Sequence, residues 1–339
     1  MRAAIFQGVG KPLSIENVPD PTPDADQVIL AVENAGICGS DLHVTEHAHT
    51  PSGLILGHEF AGTIAAVGSN VTGWKAGDRV TALPLNACNS CDACESGLPA
   101  LCSANLFTGC YLNAPGAYAQ YVAARGNMLQ RLPNGVKFED GALVEPLAVA
   151  HHVVSMADMP KGASVLILGG GPIGAAVALF ARHAGARHVV VSEMSENRRT
   201  RAAELGATAT IDPNAEDVFE AYRKATGEAR PRFVFECVGI PGMLRQAVEL
   251  AGVRGCVVVA GVVIQEDVIA PIVALGKEVT IRFSQAYTEQ DFAAVIDAIA
   301  RRDINPRPLH SATVTLDELP DAFEALRKPT TQCKILIKP

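Results

Sequence analysis

The sequence predicts an α/β protein in which a β-rich part is followed by a doubly wound parallel sheet. The chain has 339 residues, enough for about two domains of ~150 residues each. Short β-branched runs separated by turn residues fill the first third, as in an antiparallel, barrel-like domain. From about Pro146, apolar runs alternate with alanine-rich helical segments, which is typical of βαβ units.

The β-rich texture extends from Met1 to about Gly126. Its clearest predicted strands are Val28–Glu33, Glu59–Val67 and Asp78–Leu83.

The second part predicts a parallel sheet with helices between its strands. The predicted strands are Ser164–Leu168, His188–Ser192, Phe233–Glu236, Gly255–Ala260 and Glu278–Arg282. The predicted helices are Pro172–Ala184, Glu196–Leu205, Val218–Thr226 and Pro241–Leu250. The remaining residues predict a helix at Glu289–Arg301, a strand at Ser311–Thr315, a helix at Leu316–Arg327 and a closing strand at Lys334–Lys338.

Composition and charge exclude several classes of protein. Hydrophobic residues make up 48% of the chain and charged residues 19%, unlike a disordered, coiled-coil or collagen-like chain. The net charge of −8 has the wrong sign for coating nucleic acid. The most apolar run, Val165–Ala181, contains glycines and a proline and is shorter than the ~20 residues that span a bilayer. Because the first residues carry no secretory apolar stretch, we expect a cytoplasmic location without membrane or nucleic-acid partners.

Four of the nine cysteines share one loop. An odd number of cysteines without an export signal argues against a disulfide framework. Four thiolates close together suit tetrahedral zinc, and a site without an open coordination position is structural. The sequence therefore predicts a structural zinc site at Cys88, Cys91, Cys94 and Cys102.

A second set of metal-ligand types is spread over distant segments. Cys38 lies in Cys-Gly-Ser-Asp, His58 and Glu59 lie in Gly-His-Glu, and Glu145 precedes a proline. Mixed sulfur, nitrogen and oxygen ligands are expected of catalytic zinc, which keeps a position for water or substrate. Taken singly, each residue also fits a role as a core cysteine, a core or surface histidine, or a strand-edge or helix-start carboxylate.

A glycine-rich loop lies between the first predicted strand of the parallel sheet and an alanine-rich helix. The pattern Gly-x-Gly-x-x-Gly places Gly169 at a tight turn, Gly171 where a backbone can approach a pyrophosphate, and Gly174 where a helix packs closely. Pro172 and Ile173 lie between the last two glycines.

Glu193 ends the next predicted strand, where a carboxylate accepts the ribose hydroxyls of NAD and repels the 2′-phosphate of NADP. NAD is therefore the expected coenzyme. Arg198 and Arg199 leave use of NADP open because arginine pairs with phosphate, although a solvated helix face explains them equally well.

Together with the order of the two parts, these motifs make the chain resemble the zinc-dependent medium-chain dehydrogenase/reductase family. The segment Glu145-Pro-Leu is most similar to the sorbitol, butanediol and threonine dehydrogenase branch. The resemblance implies a GroES-like catalytic domain at residues 1–146, to which residues 288–339 return, and a Rossmann domain at 147–287. It implies two zinc ions per chain and assembly into a homodimer or homotetramer.

The resemblance also implies roles for single residues. Cys38 and His58 match the ligands of catalytic zinc, and either Glu59 or Glu145 completes the set. Ser40 matches the first proton acceptor and His43 the relay towards solvent. More loosely, Val262 and Phe283 match positions that hold the nicotinamide.

The predicted function is hydride transfer between NAD and a secondary alcohol or polyol, with zinc as a Lewis acid for the alcohol oxygen. Two alternatives remain open, a carbonyl or enone reductase of the same fold and a non-catalytic NAD-binding protein that keeps the structural zinc. The segment Val44–Leu56 is shorter than in typical sorbitol or threonine dehydrogenases, so the particular substrate is left open.

Overall fold

The computed structural model describes residues 1–328 and 331–339. The chain separates into two compact units. The first consists of Met1–Glu145, Thr288–Arg301 and His310–Pro339, and the second of Pro146–Tyr287 and Arg302–Leu309. The predicted combination of a β-rich domain with a doubly wound parallel sheet is confirmed.

The first third of the chain consists mostly of strands, and from residue 164 onward strands and helices alternate, as the sequence indicated. Up to Ala142 the chain forms β1 (Arg2–Ile5), β2 (Ser14–Asn17), β3 (Gln27–Gly36), α1 (Gly39–Glu46), β4 (Glu59–Val67), β5 (Arg79–Ala82), α2 (Asp92–Glu95), β6 (Tyr121–Arg125), β7 (Leu129–Arg131) and α3 (Phe138–Ala142). It continues with α4 (Val144–Ser155), β8 (Ser164–Leu168), α5 (Pro172–His183), β9 (His188–Ser192), α6 (Glu196–Glu204), β10 (Ala209–Ile211), α7 (Val218–Thr226), β11 (Phe233–Glu236), α8 (Met243–Leu250), β12 (Cys256–Val259), α9 (Pro271–Leu275) and β13 (Thr280–Phe283). The last elements are α10 (Glu289–Ala300), β14 (His310–Thr315), α11 (Leu319–Ala325) and β15 (Lys334–Lys338).

The first unit is built around a seven-stranded sheet. Its order is β14-β15-β3-β4-β5-β7, and β6 also pairs with β3. All of these pairs are antiparallel except β14 with β15. The closing strand β15 pairs with β3 through Leu336 opposite Gly36 and Ile337 opposite Ala35. This pairing brings the end of the chain beside the residues that lead into α1.

The second unit contains a six-stranded parallel sheet in the order β10-β9-β8-β11-β12-β13. All five residues of β8 are buried, as expected of a central parallel strand covered by helices on both faces. Strand order reverses between β8 and β11, and ligands of such sheets bind at the carboxyl ends of the strands beside this point. The predicted glycine loop directly follows β8.

Several predicted boundaries need correction. The helix predicted from Pro241 begins at Met243, because Gly242 has a left-handed backbone with φ 91°. The helix predicted from Leu316 begins at Leu319, after a turn in which the Glu318 carboxylate accepts a hydrogen bond from the Thr315 amide.

Other differences concern elements of the second unit. Strand β13 begins at Thr280 rather than Glu278, which has φ 51°. The short elements β10 and α9 were not predicted.

Among the described residues, no helix has the length and apolar character needed to cross a membrane.

Candidate functional site

The beginning of helix α1 fixes the position of Cys38. Cys38 is the residue that caps the helix, and its amide donates a hydrogen bond of 3.1 Å to Oδ2 of Asp41. In return, the Asp41 amide donates to the carbonyl oxygen of Cys38 at 3.2 Å. This reciprocal arrangement satisfies amide groups that would otherwise be unpaired at the helix start. It holds the cysteine and a buried carboxylate in a fixed relation.

His58 faces the same carboxylate from the segment before β4. Its Nδ1 lies 3.3 Å from Oδ1 of Asp41, and its Nε2 lies 3.5 Å from Oγ of Ser40. The buried imidazole also meets the Phe107 ring edge to face, with centroids 5.2 Å apart. Burial acts to lower the pKa of His58, but the Asp41 carboxylate and the Cys38 thiol outweigh it and hold that pKa well above its usual value. The pocket around His58 therefore favours positive charge.

Glu59 is fully buried and forms an ion pair with Lys334 of β15. The two side chains are 0% and 3% exposed, and Oε1 of Glu59 accepts a hydrogen bond from the ammonium group. Lys334 also donates to the carbonyl oxygen of Ile37 at 3.4 Å. Burial acts to lower the pKa of Lys334, but Glu59 and then Cys38 raise it above its usual value. Within the described part of the chain, Oε2 of Glu59 is buried without a hydrogen-bond partner.

The structure brings Cys38, His58 and Glu59 together. One potential ligand atom from each lies within 4.8 Å of the others. A thiol, an imidazole and a carboxylate form the mixed donor set that zinc accepts. Together with Lys334, a divalent cation would compensate the negative charge of the buried acidic groups. It would also give Oε2 of Glu59 a partner. The residues present therefore fit a bound metal ion.

The other residues predicted for this site are placed less centrally. Glu145 is buried in the first turn of α4, outside the group that lies within 4.8 Å. Ser40 is in contact with His58, as described above. His43 lies on the surface of α1 with its side chain 75% exposed and its Nδ1 3.7 Å from a carboxylate oxygen of Glu46.

The four cysteines predicted to hold structural zinc converge around helix α2. The Sγ atoms of Cys88 and Cys102 are 3.5 Å apart, those of Cys91 and Cys94 are 3.6 Å apart, and those of Cys88 and Cys94 are 4.0 Å apart. A tetrahedral site with Zn–S bonds of ~2.3 Å requires sulfur atoms about 3.8 Å apart. The loop is therefore already shaped for this ion.

The acidities of two of these thiols support the same conclusion. Hydrogen bonds from the backbone and side chain of Ser90 lower the pKa of Cys88 to about 6. Burial, followed by the neighbouring Cys91, raises the pKa of Cys94 to about 11. A bound cation would favour the thiolate form of all four cysteines.

The glycine loop has the backbone geometry of a pyrophosphate site. Gly169 has φ 93°, and Gly171 caps α5 with no atom within 4 Å of the position of an added Cβ. An added Cβ at Gly174 would lie 1.9 Å from the Gly169 carbonyl oxygen. Pro172 begins the helix, followed by Ile173. The loop leaves open space at Gly171, where amides at a helix N-terminus bind anions.

Glu193 lies directly beside this loop. Its Oε2 accepts a hydrogen bond of 2.8 Å from the Gly170 amide, and its Oε1 accepts one of 2.8 Å from the Ser195 amide. Nη1 of Arg198 lies 3.9 Å from Oε2 of Glu193. Arg199 instead donates to backbone carbonyls of residues 193 and 194 and pairs with Asp212. Arg199 is thus engaged within the protein, whereas Arg198 remains beside the carboxylate.

The two residues that match nicotinamide-binding positions more loosely lie at the carboxyl ends of adjacent strands. Val262 follows β12 and is 80% exposed, and Phe283 ends β13 and is 67% exposed. Exposed apolar side chains at this edge of a parallel sheet are suited to contact a ligand.

Sequence reasoning missed three residues that organise the metal site. Asp41 had a local signal, because it stands three residues after the cysteine in a capping-box pattern. Lys334 had a weaker one, a charged residue that opens a strand whose next three residues are apolar. Tyr118, whose hydroxyl donates to Oδ2 of Asp41 at 2.6 Å, had none.

Comparisons with known proteins define the class of this molecule. The profile of the alcohol dehydrogenase GroES-like domain matches residues 24–134, and that of the zinc-binding dehydrogenases matches residues 172–301. Fold and site thus define a zinc-binding dehydrogenase. The chain belongs to the zinc-dependent medium-chain dehydrogenase/reductase family and is an oxidoreductase, as predicted.

The similarity to named relatives covers almost the whole chain. The chain is 34% identical to 2-dehydro-3-deoxy-L-galactonate 5-dehydrogenase of Pseudoalteromonas atlantica, over 89% of this chain and 88% of the relative. It is 31% identical to sorbitol dehydrogenase of Halalkalibacterium halodurans, over 96% and 95% of the two chains. A zinc-binding dehydrogenase target from Sinorhizobium meliloti, solved with NADP bound, superposes with a TM-score of 0.92 at 33% identity, covering 100% of this chain and 99% of the other.

Proposed function

We propose that this protein oxidises a secondary alcohol or polyol to the ketone with NAD as hydride acceptor. The observation that carries the proposal is the convergence of Cys38, His58 and Glu59 in a chain that also holds an intact dinucleotide loop. The similarity to sorbitol and sugar-acid dehydrogenases supports a secondary carbinol as the reacting group.

The metal of this centre would be held by Cys38, His58 and a carboxylate. Glu59 lies within the ligand group, and Glu145 is the alternative from α4. When bound, zinc supplies a Lewis acid that makes a coordinated hydroxyl more acidic. Lys334 holds one oxygen of Glu59, so the other oxygen is the one available to a cation.

Neighbouring side chains prepare the imidazole and receive the proton. The Asp41 carboxylate lies 3.3 Å from Nδ1 of His58 and favours the proton of the neutral ring on that nitrogen, which would leave the Nε2 lone pair to a metal ion. Ser40, beside Nε2, is placed to accept the hydroxyl proton of the substrate. His43, exposed on the same helix, would pass that proton to solvent. When bound, NAD would accept the hydride of the carbinol carbon, so that the reaction balances as ketone, NADH and a proton.

The proposed coenzyme site comprises Gly169, Gly171, Pro172, Ile173 and Gly174. Glu193 would accept hydrogen bonds from the hydroxyls of the adenosine ribose. Glu193 bonds to two backbone amides, so its charge is fixed beside the loop. A fixed carboxylate disfavours the 2′-phosphate of NADP, and Arg198 is the residue that could offset this effect. Val262 and Phe283 would contact the nicotinamide. NAD is therefore the proposed coenzyme.

We further propose a structural zinc at Cys88, Cys91, Cys94 and Cys102, which brings the total to two zinc ions per chain. The catalytic domain would comprise residues 1–146 and 288–339, and the nucleotide domain residues 147–287. The two compact units support this division, although Arg302–Leu309 groups with the nucleotide domain. A cytoplasmic location is proposed, because four cysteines gathered in one loop suit metal binding in a reducing compartment.

A homodimer or homotetramer is proposed through the edge of the parallel sheet. Strand β13 is the last strand of that sheet, and Ile272 and Leu275 of the preceding helix are each 71% exposed. An unpaired strand edge flanked by exposed apolar side chains favours pairing with a second copy. Light scattering of Ile272→Asp should show a smaller particle than the parent protein.

The deciding experiment follows nicotinamide absorbance with zinc-loaded protein. NAD and NADP are each offered with polyols, vicinal diols, threonine, and aliphatic, cyclic and aromatic secondary alcohols. We expect NAD reduction with a secondary alcohol or polyol, and loss of this activity in Cys38→Ser but not in Cys256→Ser, a thiol of the other unit. Activity with enones but with no alcohol would establish the alternative reductase. Full activity of Cys38→Ser would refute the metal assignment.

A further inference from the structure

Tyr118 is the innermost member of a chain of polar contacts that ends at the proposed metal ligands. Its side chain is 0% exposed, and its hydroxyl donates to Oδ2 of Asp41 at 2.6 Å. Burial, together with Asp41, raises the pKa of the phenol above its usual value, so this hydroxyl remains a hydrogen-bond donor.

The Asp41 carboxylate connects Tyr118 to two proposed metal ligands. Its Oδ2 also accepts from the Cys38 amide, and its Oδ1 faces Nδ1 of His58. A rotation of this carboxylate would therefore disturb the cysteine and the imidazole at once. The Tyr118 hydroxyl opposes that rotation by binding the oxygen that does not face the imidazole.

The backbone around Tyr118 is fixed on both sides. Its amide donates to the Leu56 carbonyl at 2.9 Å, and its carbonyl accepts from the Ala4 amide at 2.8 Å. An added Cβ at Gly57, which has φ 96°, would lie 2.4 Å from the ring. The edge of Phe323 covers another side, with centroids 6.4 Å apart. The hydroxyl is thus presented to Asp41 from a rigid position.

Packing alone does not explain the hydroxyl. Phenylalanine would fill nearly the same volume and satisfy the same apolar neighbours, whereas a phenol in a buried position needs a partner for its polar end. That partner is the carboxylate of Asp41, which also accepts from the Cys38 amide and lies 3.3 Å from Nδ1 of His58. Groups that orient a metal-bound histidine commonly change metal affinity by 10- to 100-fold when removed.

We propose that Tyr118 is a positioning residue of the metal centre, which retains the bound ion by locking the Asp41 carboxylate against His58 and Cys38. The inference rests on the proposed metal site at Cys38, His58 and Glu59. It assigns no contact between Tyr118 and the metal or the substrate.

The test measures zinc release from the full-length protein to a chromogenic chelator at neutral pH. In Tyr118→Phe, we expect one zinc per chain to be released roughly 3 to 10 times faster than in the parent, because the residue acts one contact beyond the ligand. The zinc of the four-cysteine loop should be released at the parent rate and serves as an internal reference. Repeating the comparison in a Cys94→Ser background identifies which zinc is affected.

Tyr222→Phe is the matched control. Tyr222 is also fully buried and also donates to a carboxylate, that of Glu228 at 3.3 Å, but it lies in the other unit. This variant should release both zinc ions at the parent rate.

A double-mutant cycle separates positioning from general loosening. Asp41→Ala, which removes the acceptor of the Tyr118 hydroxyl, should accelerate release of the same zinc, and adding Tyr118→Phe should then have no further effect, because the hydroxyl acts through Asp41. Cobalt substitution gives a second readout, since altered ligand geometry should change the visible spectrum of Tyr118→Phe but not that of Tyr222→Phe.

Three outcomes would overturn the inference: unchanged release in Tyr118→Phe, equal acceleration of both zinc ions, or independent effects of the two substitutions. If the parent protein holds zinc only in the four-cysteine loop, the proposed function fails as well. A parent with two zinc ions and an unaffected Tyr118→Phe variant would refute the role of Tyr118 alone.

Discussion

Replacing Lys334 by methionine tests the electrostatic design of the site most directly. Lys334→Met keeps an unbranched apolar stem of similar length and removes only the ammonium group. Glu59, which is 0% exposed, would lose the partner of its Oε1, and the Ile37 carbonyl would lose a donor. In the metal-free protein, in which the melting temperatures are compared, an uncompensated charge would then remain in the core of the first unit.

The magnitude follows from the burial of both partners. Removing one member of a buried ion pair typically costs 3–5 kcal/mol. For a domain of 150–250 residues, each kcal/mol shifts the melting temperature by ~2–4 °C. We therefore expect the first unit of Lys334→Met to melt on the order of 10 °C lower than the parent. Glu59→Gln combined with Lys334→Met should recover much of this loss, because no unpaired charge remains.

Tryptophan fluorescence can follow the first unit by itself. The chain contains one tryptophan, Trp74, which lies in that unit. Lys338→Met is the matched control, because Lys338 lies on the same strand but is exposed, and surface substitutions rarely change stability by more than ~0.5 kcal/mol. A shift in Lys334→Met no larger than that of the control would refute the view that this pair is an energetically coupled buried unit.

Three further predictions concern the other sites. Cys94→Ser should lose about one zinc per chain and melt at a lower temperature, and metal analysis that still finds both ions would contradict the structural-zinc assignment. Glu193→Ala removes the acceptor of two amides, so equilibrium titration should show weaker NAD binding and a higher NADP-to-NAD affinity ratio; an unchanged ratio would show that Glu193 does not select the coenzyme. Gly171→Ala should fold normally but bind NAD at least tenfold more weakly. Gly174→Ala should lose stability as well, because only its added Cβ collides with the backbone. Calorimetry that finds Gly171→Ala less stable than Gly174→Ala would reject this explanation.

Much of the fold and of the candidate sites could be predicted from the sequence, because the patterns that indicate them are local. The four-cysteine loop, the glycine loop and the strand ending at Ser192 each occupy a short stretch in which spacing alone defines chemistry. Hydrophobic patterning separated the β-rich part from the parallel sheet, because helices and strands bury their side chains with different periods. Boundaries were less accurate where a single left-handed residue, such as Gly242 or Glu278, shifts the start of an element.

The sequence by itself determined the fold class, the four-cysteine loop and the dinucleotide loop, because periodicity and spacing within short stretches define each of them. It predicted Cys38, His58, Glu59 and Glu145 as a metal group through the family resemblance, since these residues lie in distant segments. Only the tertiary structure decided which groups meet. Pairing of β15 with β3 brings Lys334 to Glu59, and the anchoring of Tyr118 beside residues 56 and 57 brings its hydroxyl to Asp41. These partners are separated in sequence by 275 and 77 residues. Their contacts follow from strand pairing and from the need to neutralise buried charge, and neither leaves a periodic or local pattern in the chain.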